Sequence, residues 1–532
     1  MLIGIDVGST HCKVGLVHLD GALQCVETSS MHLHQSADGG SFYDPDEVWR
    51  AVLGLLETVV ARASSRIEGK SASPLATIRG FAHAGGIHIE AIGVASMAES
   101  GVLVSRSTGK AMSPLIPWFD QRPAPYVPVI QGAESELALF SRTGLHPAVK
   151  HGLTKLLWLK DKQGGISDDA VWLSTADYVV YRLTGVIATD YTLAARTLAF
   201  DIRHRVWDQN WLQNFHFNPR LFPEAMPSGT PAGALLTEYA ELLGQDGTHP
   251  IPVSVSGHDH LCGMVGTGLA GDNSVLNSVG TAETLLGTTS IRELGKTEFH
   301  TGLVYGLHVT GDRMYWLGSL PMSGGSVDWA RQLLLGTASS YEDLHTFMKH
   351  LAGARADAIY VPPLSYLGAI PEVLRHGALF GVTLAHQHTE IFQAVLEGLC
   401  FEVEFIRRQA MNALGRSVLN FSAVGGGAKN PHWLQVKANV TGCSIDVLAT
   451  TESTVVGAAL VAARGAGIAI EKETKTKTGT DLGRRGTTVT EPVDVTTFTQ
   501  VHPDAKQHQD YQHIYESKYL PLRKLVQNGV RT

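Results

Sequence analysis

Cysteine is scarce and scattered: the 532 residues hold five, Cys12, Cys25, Cys262, Cys400 and Cys443, and none forms a CxxC pair. An odd number so widely spaced excludes a disulfide framework and a zinc knuckle, and it fits a reducing cytoplasm. Basic residues carry no excess, with Lys+Arg 42 against Asp+Glu 50 and a formal net charge of -8. That balance offers no cationic surface for a polyphosphate backbone, so no nucleic-acid partner is expected. Long apolar runs are missing as well. No segment reaches the roughly 18 uninterrupted apolar residues of a spanning helix, and the N-terminal MLIGIDVGST has no basic leader region. The expected protein is soluble and unprocessed, with no membrane partner.

Glycine, by contrast, is abundant: 56 residues without a Gly-X-Y period, in a chain of 44% hydrophobic content. Such a chain can bury large cores and make many tight turns, and its length suggests roughly two to four domains. Residues 2–6 and 13–19 are apolar runs separated by a turn and read as a β-hairpin. Residues 46–63 place apolar side chains at helical spacing behind an Asp, and residues 89–95 read as a buried strand. Helices are expected at 154–160 and at 175–183, the latter closed by Gly185. A Pro- and Gly-rich passage over 219–252 marks the expected domain boundary, with domains at 1–252 and 253–532. Beyond it the opening grammar returns: a strand at 274–279 ends in Gly280-Thr281, and two strands flank Gly311-Asp312 within 301–318. Two halves of one α/β architecture follow. Helices are expected at 389–413, 432–441 and 454–464, a mobile surface insertion at 471–493, and a terminal helix at 510–520 before Pro521.

Three glycine turns could carry phosphate chemistry. Asp6-Val7-Gly8-Ser9-Thr10 ends a strand with an acid able to hold hydrated Mg²⁺ and with two hydroxyls able to donate to phosphate oxygens. A hairpin turn capped by those side chains is the plainer alternative. Asn277-Ser278-Val279-Gly280-Thr281 repeats the strand, glycine and hydroxyl pattern, and two such turns imply a cleft. Val424-Gly425-Gly426-Gly427-Ala428-Lys429-Asn430 ends an apolar strand, where bare backbone can lie against a planar or sugar group. Ser256-Gly257-His258-Asp259-His260 places an acid between a strand and a helix start. There Asp259 is either a cap or a carboxylate that takes a proton from a hydroxyl. The His-x-His pairs lack a third ligand and are weak evidence for a metal site.

These turns, with Trp118-Phe119-Asp120-Gln121-Arg122, Ala176-Asp177-Tyr178, Arg182-Leu183-Thr184-Gly185, Thr189-Asp190-Tyr191 and Gly257-His258-Asp259, resemble in order the motifs of the FGGY carbohydrate kinases. The resemblance implies an α/β fold of two actin-like ATPase (ribonuclease H-like) domains around a hinged central cleft. The N-terminal domain would mainly bind sugar and the C-terminal domain mainly ATP. Carried over by position, Asp259 is the general base and Asp6 lies near Mg²⁺, with water between them. Ser9, Thr10, Lys13, Gly280, Thr281 and Gly325 belong to the ATP site, and Gly426, Gly427 and Asn430 flank the adenosine. Ala98, Glu99, Trp118, Asp120 and His151 belong to the substrate site together with Asp259. Arg122 is either a sugar-side residue or a structural ion pair beneath the site.

Ala98-Glu99 stand where glycerol kinases carry Arg-Glu and xylulose kinases Met-His, a departure from both patterns. The implied reaction is ATP-dependent phosphorylation of a hydroxyl on a small sugar or polyol, such as a ketopentose, a pentitol or a related sugar. Glu283 follows Gly280-Thr281 closely and would repel phosphates unless it faces away or helps to hold Mg²⁺. Two alternatives belong to other classes, a non-metabolic actin-like ATPase and a catalytically idle sugar sensor. Dimers are common in such families, so a homodimer is compatible with the resemblance, although no segment marks an interface.

Overall fold

The computed structural model describes residues 1–67, 87–245, 249–269, 271, 274–349, 351, 356–364, 376–448, 452–470 and 497–527. The expected insertion at 471–493 lies outside them.

The apolar opening strand Leu2–Val7 turns sharply at Gly8, whose N–H donates to the His11 carbonyl at 3.0 Å, and returns antiparallel as His11–Val17. Leu23–Ser30 extends that hairpin. On its other side Leu2–Val7 pairs in parallel with Ala91–Ser96, which pairs in parallel with Pro252–His258. A short antiparallel edge, Pro231–Ala234, completes six strands. Ile3, Ile5, Val14, Leu16, Ile92 and Val94 are fully buried, as continuous apolar runs require when helices cover both faces of a sheet. One cover is the helix Pro45–Ile67, which sends Val48, Val52, Leu56 and Val59 into that core.

The second sheet repeats the plan. Val275–Val279, Glu283–Ser290 and Arg313–Leu320 are successively antiparallel, while Asn420–Val424 and Ser444–Leu448 continue in parallel from the first of them. Val304–Leu307 and Thr497–Val501 form its edges. Counting five principal strands by chain position in each sheet, both have the order third, second, first, fourth, fifth. The two halves therefore share an architecture that the residue pattern only hinted at.

The expected boundary at 252/253 falls one strand too early, because Pro252–His258 is hydrogen-bonded into the first sheet. The Pro-rich passage before it belongs to the first half, whose sheet it joins through Pro231–Ala234. The crossing is made instead by two helices. Asp259–Gly266 leaves the first sheet, and Ser453–Gly465, which follows the second, comes back to lie across the first. Glycine permits that return: a Cβ on Gly457 would stand 1.7 Å from the Cys262 carbonyl oxygen, and one on Gly4 would stand 1.9 Å from that of Val455. Ala95 of the first sheet, Leu276 and Leu286 of the second, and Leu261 and Ala458 of the crossing helices form one buried cluster.

Helices His388–Leu414 and Pro431–Thr441 back the second sheet, and Thr175–Thr184 ends at Gly185 in a left-handed conformation (φ 74°). The terminal helix differs from expectation. It starts at Ala505, widens into a π-type turn over Tyr515–Tyr519 and continues as Leu520–Gln527, so Pro521 sits inside it. The π-type turn just before it, in which the Leu520 N–H donates to the Tyr515 carbonyl, breaks the regular bonding pattern at the point where proline cannot donate. Among the described residues no helix is long and apolar enough to cross a membrane.

Candidate active site

The strand Pro252–His258 carries a bulge at Gly257, whose φ of 114° lies outside the range most side chains adopt. A Cβ there would meet Thr192 Oγ1 at 2.5 Å and Asp190 Oδ2 at 2.8 Å. The bulge turns the chain directly into the helix Asp259–Gly266 and sets Asp259 at its first position, on the line between the two halves. Asp259 Oδ1 accepts the His260 N–H at 2.6 Å and lies 3.2 Å from His258 Nε2. Oδ2 has no hydrogen-bond partner among the described residues. Burial, reinforced by the charge on Glu99, raises the Asp259 pKa above the ordinary range against the opposing pull of His260 and Arg196. A partly exposed carboxylate with one free oxygen can accept a proton from a bound hydroxyl.

Across the first hairpin, Asp6 faces the same place. Its Oδ1 is buried without a partner, and burial, followed by the charge of Asp259, pushes its pKa up to about 8. Lys13, directly opposite Asp6 in the hairpin register, pairs with Glu452 at 2.6 Å. The side chains of Ser9 and Thr10 have no hydrogen bonds within the described residues and are available at the turn.

Glu99 stands beyond Asp259, after the strand Ala91–Ser96, with φ 59° in the left-handed region that a glutamate seldom occupies. Its Oε1 receives Arg196 Nε at 3.0 Å and also Arg196 Nη2, and Lys150 Nζ lies 3.3 Å away. Burial opposes the Glu99 charge, but Arg196 and Lys150 outweigh it and hold the pKa well below the usual range. Arg196 is itself buried and donates to the Tyr315 hydroxyl at 3.1 Å, whereas the Lys150 side chain is 32% exposed. Glu99 Oε2 has no hydrogen-bond partner among the described residues. The half-buried Trp118 lies near this group in the chain's path, its backbone N–H donating to Ser100 Oγ at 3.0 Å.

Three expected substrate residues do not reach the opening. His151 is fully buried, with Nδ1 3.2 Å from the Arg196 carbonyl and Nε2 3.0 Å from that of His146, so main chain encloses the ring and one of the two carbonyls takes its single N–H. Asp120 is held by Arg122 through Nε at 2.9 Å, and the guanidinium stacks 4.4 Å over Trp158, which makes that pair structural support. Ala98 is buried with no polar side chain, and its carbonyl is taken by Ser100 Oγ.

The second half presents a cradle of bare backbone. The Gly324 and Gly325 N–H groups, in the first turn of Ser323–Leu335, donate to the carbonyls of Gly280 and Thr281 at 3.2 Å each. A Cβ on Gly324 would meet the Gly280 oxygen at 2.3 Å, and one on Gly425 would meet that of Val279 at 2.6 Å, whereas one on Gly426 would project into open space. Thr281 is exposed at the lip of this cradle. Asn430 does not present its amide there: Oδ1 caps the Trp433 N–H at 3.0 Å and Nδ2 points at Met348 Sδ. Glu283 faces away from the turn. It is buried against Lys437 and accepts from Asn277 Nδ2 at 2.8 Å and Ser323 Oγ at 2.7 Å.

A family model described as the FGGY family of carbohydrate kinases, N-terminal domain, matches residues 1–266, and its C-terminal-domain counterpart matches residues 275–466. The chain belongs to the FGGY family of carbohydrate kinases. The xylulose kinase of Bacillus subtilis (strain 168) is 27% identical over 479 residues, which cover 88% of each chain. The glycerol kinase of Thermus brockianus is 29% identical over 477 residues, 88% of this chain and 90% of that one. Gluconate kinase from Lactobacillus acidophilus shares the fold, with a TM-score of 0.80 at 20% identity over 99% of both chains.

As an FGGY kinase the enzyme uses ATP with Mg²⁺ to phosphorylate a sugar or polyol hydroxyl. The buried, unpartnered Asp6 oxygen fits a hydrated Mg²⁺, which takes hard oxygen donors. His258, Asp259 and His260 bring ligand atoms within 4.8 Å of one another, but two of the three are imidazoles, the wrong donors for this ion. A carboxyl whose pKa is raised on folding favours the fold while protonated. Its contribution is present below the ordinary carboxylate range and lost as pH rises through about 8 for Asp6. In metal-free buffer Asp6→Asn is therefore expected to melt above the parent, by a margin that widens from about pH 6 to about pH 9. Thermal denaturation across that range checks this, and a margin that stays constant or shrinks would contradict it.

Several residues in contact with these groups carried no signal in the sequence. Arg196 and Tyr315 lie outside any glycine turn, and Glu452 looks like an ordinary residue before a helix. Only a pattern of charges distant in sequence could have singled them out.

Proposed function

We propose that Asp259 takes the proton of a short polyhydroxylated acceptor while that oxygen attacks the γ-phosphorus of ATP and ADP departs in line. The observation that carries this reading is the pair of free carboxylate oxygens, Asp259 Oδ2 and Glu99 Oε2, in one electrostatic cluster. Asp259 at the strand end would face the reacting hydroxyl. Glu99, braced by the buried Arg196, would accept a neighbouring hydroxyl, and Lys150 would donate to a further oxygen. Trp118 supplies an apolar wall for the carbon skeleton.

Phosphoryl transfer depends on positioning and charge neutralisation rather than covalent help. Mg²⁺ neutralises phosphate charge when bound, with Asp6 as the carboxylate that would hold it. Ser9, Thr10 and Thr281 would donate to phosphate oxygens from the two halves, and Lys13 would add a positive charge. The adenosine would rest on Gly425-Gly426-Gly427. Approach of the halves about the crossing helices would exclude water, which otherwise competes as acceptor. All five cysteines are buried and none is in a disulfide, which supports a reducing cytoplasm.

ADP release with Mg²⁺-ATP, measured against ketoses, aldoses, polyols and sugar acids over an acceptor-free baseline, tests the reading. One or a few short ketoses or polyols are expected to raise the rate well above baseline. A uniform baseline from enzyme that binds ATP would remove the proposed acceptor class.

A further inference from the structure

Glu452 belongs to none of the glycine turns, yet it reaches the hairpin that carries the first of them. It immediately precedes the helix Ser453–Gly465 and makes no side-chain cap bond there, so capping does not account for it. Its partner is Lys13, 439 positions away, with Nζ 2.6 Å from Oε2. Both side chains are largely shielded, at 18% exposed for Glu452 and 26% for Lys13. Lys13 is the cross-strand partner of Asp6, and side chains directly opposite in an antiparallel pair share one face of the sheet.

The position is also fixed from the helix side. The close approach of Val455 to Gly4 seats the first turn of Ser453–Gly465 on the opening strand, and Thr454 Oγ1 donates to the Asp259 carbonyl at 3.4 Å. Three chain segments thus bring Asp6, Asp259 and Glu452 together, with Lys13 as the cation among them. Asp6 Oδ1 is buried without a partner and the one ammonium of the group is already held by Glu452, which leaves a place among the acids for a further cation.

We propose that Glu452 is a positioning residue for the divalent ion and the transferring phosphate, orienting Lys13 and completing the acidic set begun by Asp6 and Asp259. This rests on the functional reading above. Residues that act behind the direct ligands of a metal typically change its affinity by about 10–100-fold when removed.

The test is binding rather than turnover: Mn²⁺ affinity of the full-length enzyme loaded with a non-hydrolysable ATP analogue, followed by the loss of free Mn²⁺ signal in electron paramagnetic resonance. Glu452→Gln is expected to weaken Mn²⁺ by about tenfold or more while metal-free binding of the analogue is retained. Glu452→Asp should recover part of the loss. Lys13→Met, which frees Glu452 from its partner, should instead tighten Mn²⁺ by about threefold or more, since second-layer charge tunes the metal. Unchanged Mn²⁺ affinity in Glu452→Gln, or in Lys13→Met should the former not fold, would overturn the inference and leave the kinase reading standing. A parent enzyme that binds the analogue but no Mn²⁺ would instead strike at the assignment of the metal to this cleft.

Discussion

Asp259→Ala is expected to keep ATP affinity and lose turnover by about 10²–10⁴-fold, the usual contribution of a positioned general base. The argument is geometric first. The Gly257 bulge and the helix start hold this carboxylate at the junction of the halves, with one oxygen fixed by the His260 N–H and the other free. The electrostatics agree, because burial raises the Asp259 pKa and so makes the carboxylate a stronger base than an exposed one. The proposed nucleotide contacts lie in the other half and the first hairpin, so truncation at 259 removes none of them. Isothermal titration with ATP and steady-state ADP release on the same preparations separate the two effects. Equal turnover in variant and parent would take Asp259 out of the mechanism.

The second large effect is on stability. Lys437→Met should lower the free energy of unfolding by about 3–5 kcal/mol, because removing one member of a buried ion pair leaves the other charge uncompensated. Lys437 is fully buried and Glu283 is 2% exposed. Their network also includes Asn277 Oδ1, which accepts from Lys437 Nζ at 2.8 Å, and Ser323, which opens the helix beneath the Gly280-Thr281 turn. The same substitution should therefore weaken ATP binding by loosening that turn. Combining it with Glu283→Gln removes both charges and should recover part of the lost stability. Urea denaturation of parent, single and double variants measures this. A single variant within about 1 kcal/mol of the parent would contradict the assignment, since typical exposed pairs are worth no more than that.

Where chemistry depends on a turn, the sequence was legible. Asp6 at a strand end, Asp259 at a strand-to-helix junction and the three glycine clusters announce themselves through short-range constraints that any chain must obey. The helices ending at Gly185 and Gly442 were readable for the same reason, since glycine takes the left-handed conformation that closes a helix without strain. Burial was not legible. His151 has the right chemistry for a sugar contact, and nothing local reveals that two carbonyls enclose its ring. Asp120 likewise reads as an acceptor of hydroxyl hydrogens until Arg122 is seen to hold it.

The boundary at 252/253 went astray because a Pro- and Gly-rich composition marks turns, which need not fall between two sheets. Glu283 could be read as a threat to phosphate binding because its compensating cation, Lys437, lies 154 positions away. Arg196 with Glu99, and Glu452 with Lys13, are further pairs brought together only by the fold. Such contacts are the main content that a local reading of residues misses.

The central claim is that Asp259 must shed its proton before it can accept one from the acceptor. Single-turnover ADP formation by parent and Asp259→Ala, with saturating ATP, Mg²⁺ and the acceptor identified by the panel, tests it most directly when followed against pH. The parent should show a rate that rises with pH through an apparent pKa above that of an ordinary aspartate, and the variant should be slow with that limb absent. The same rising limb in both proteins would contradict the account.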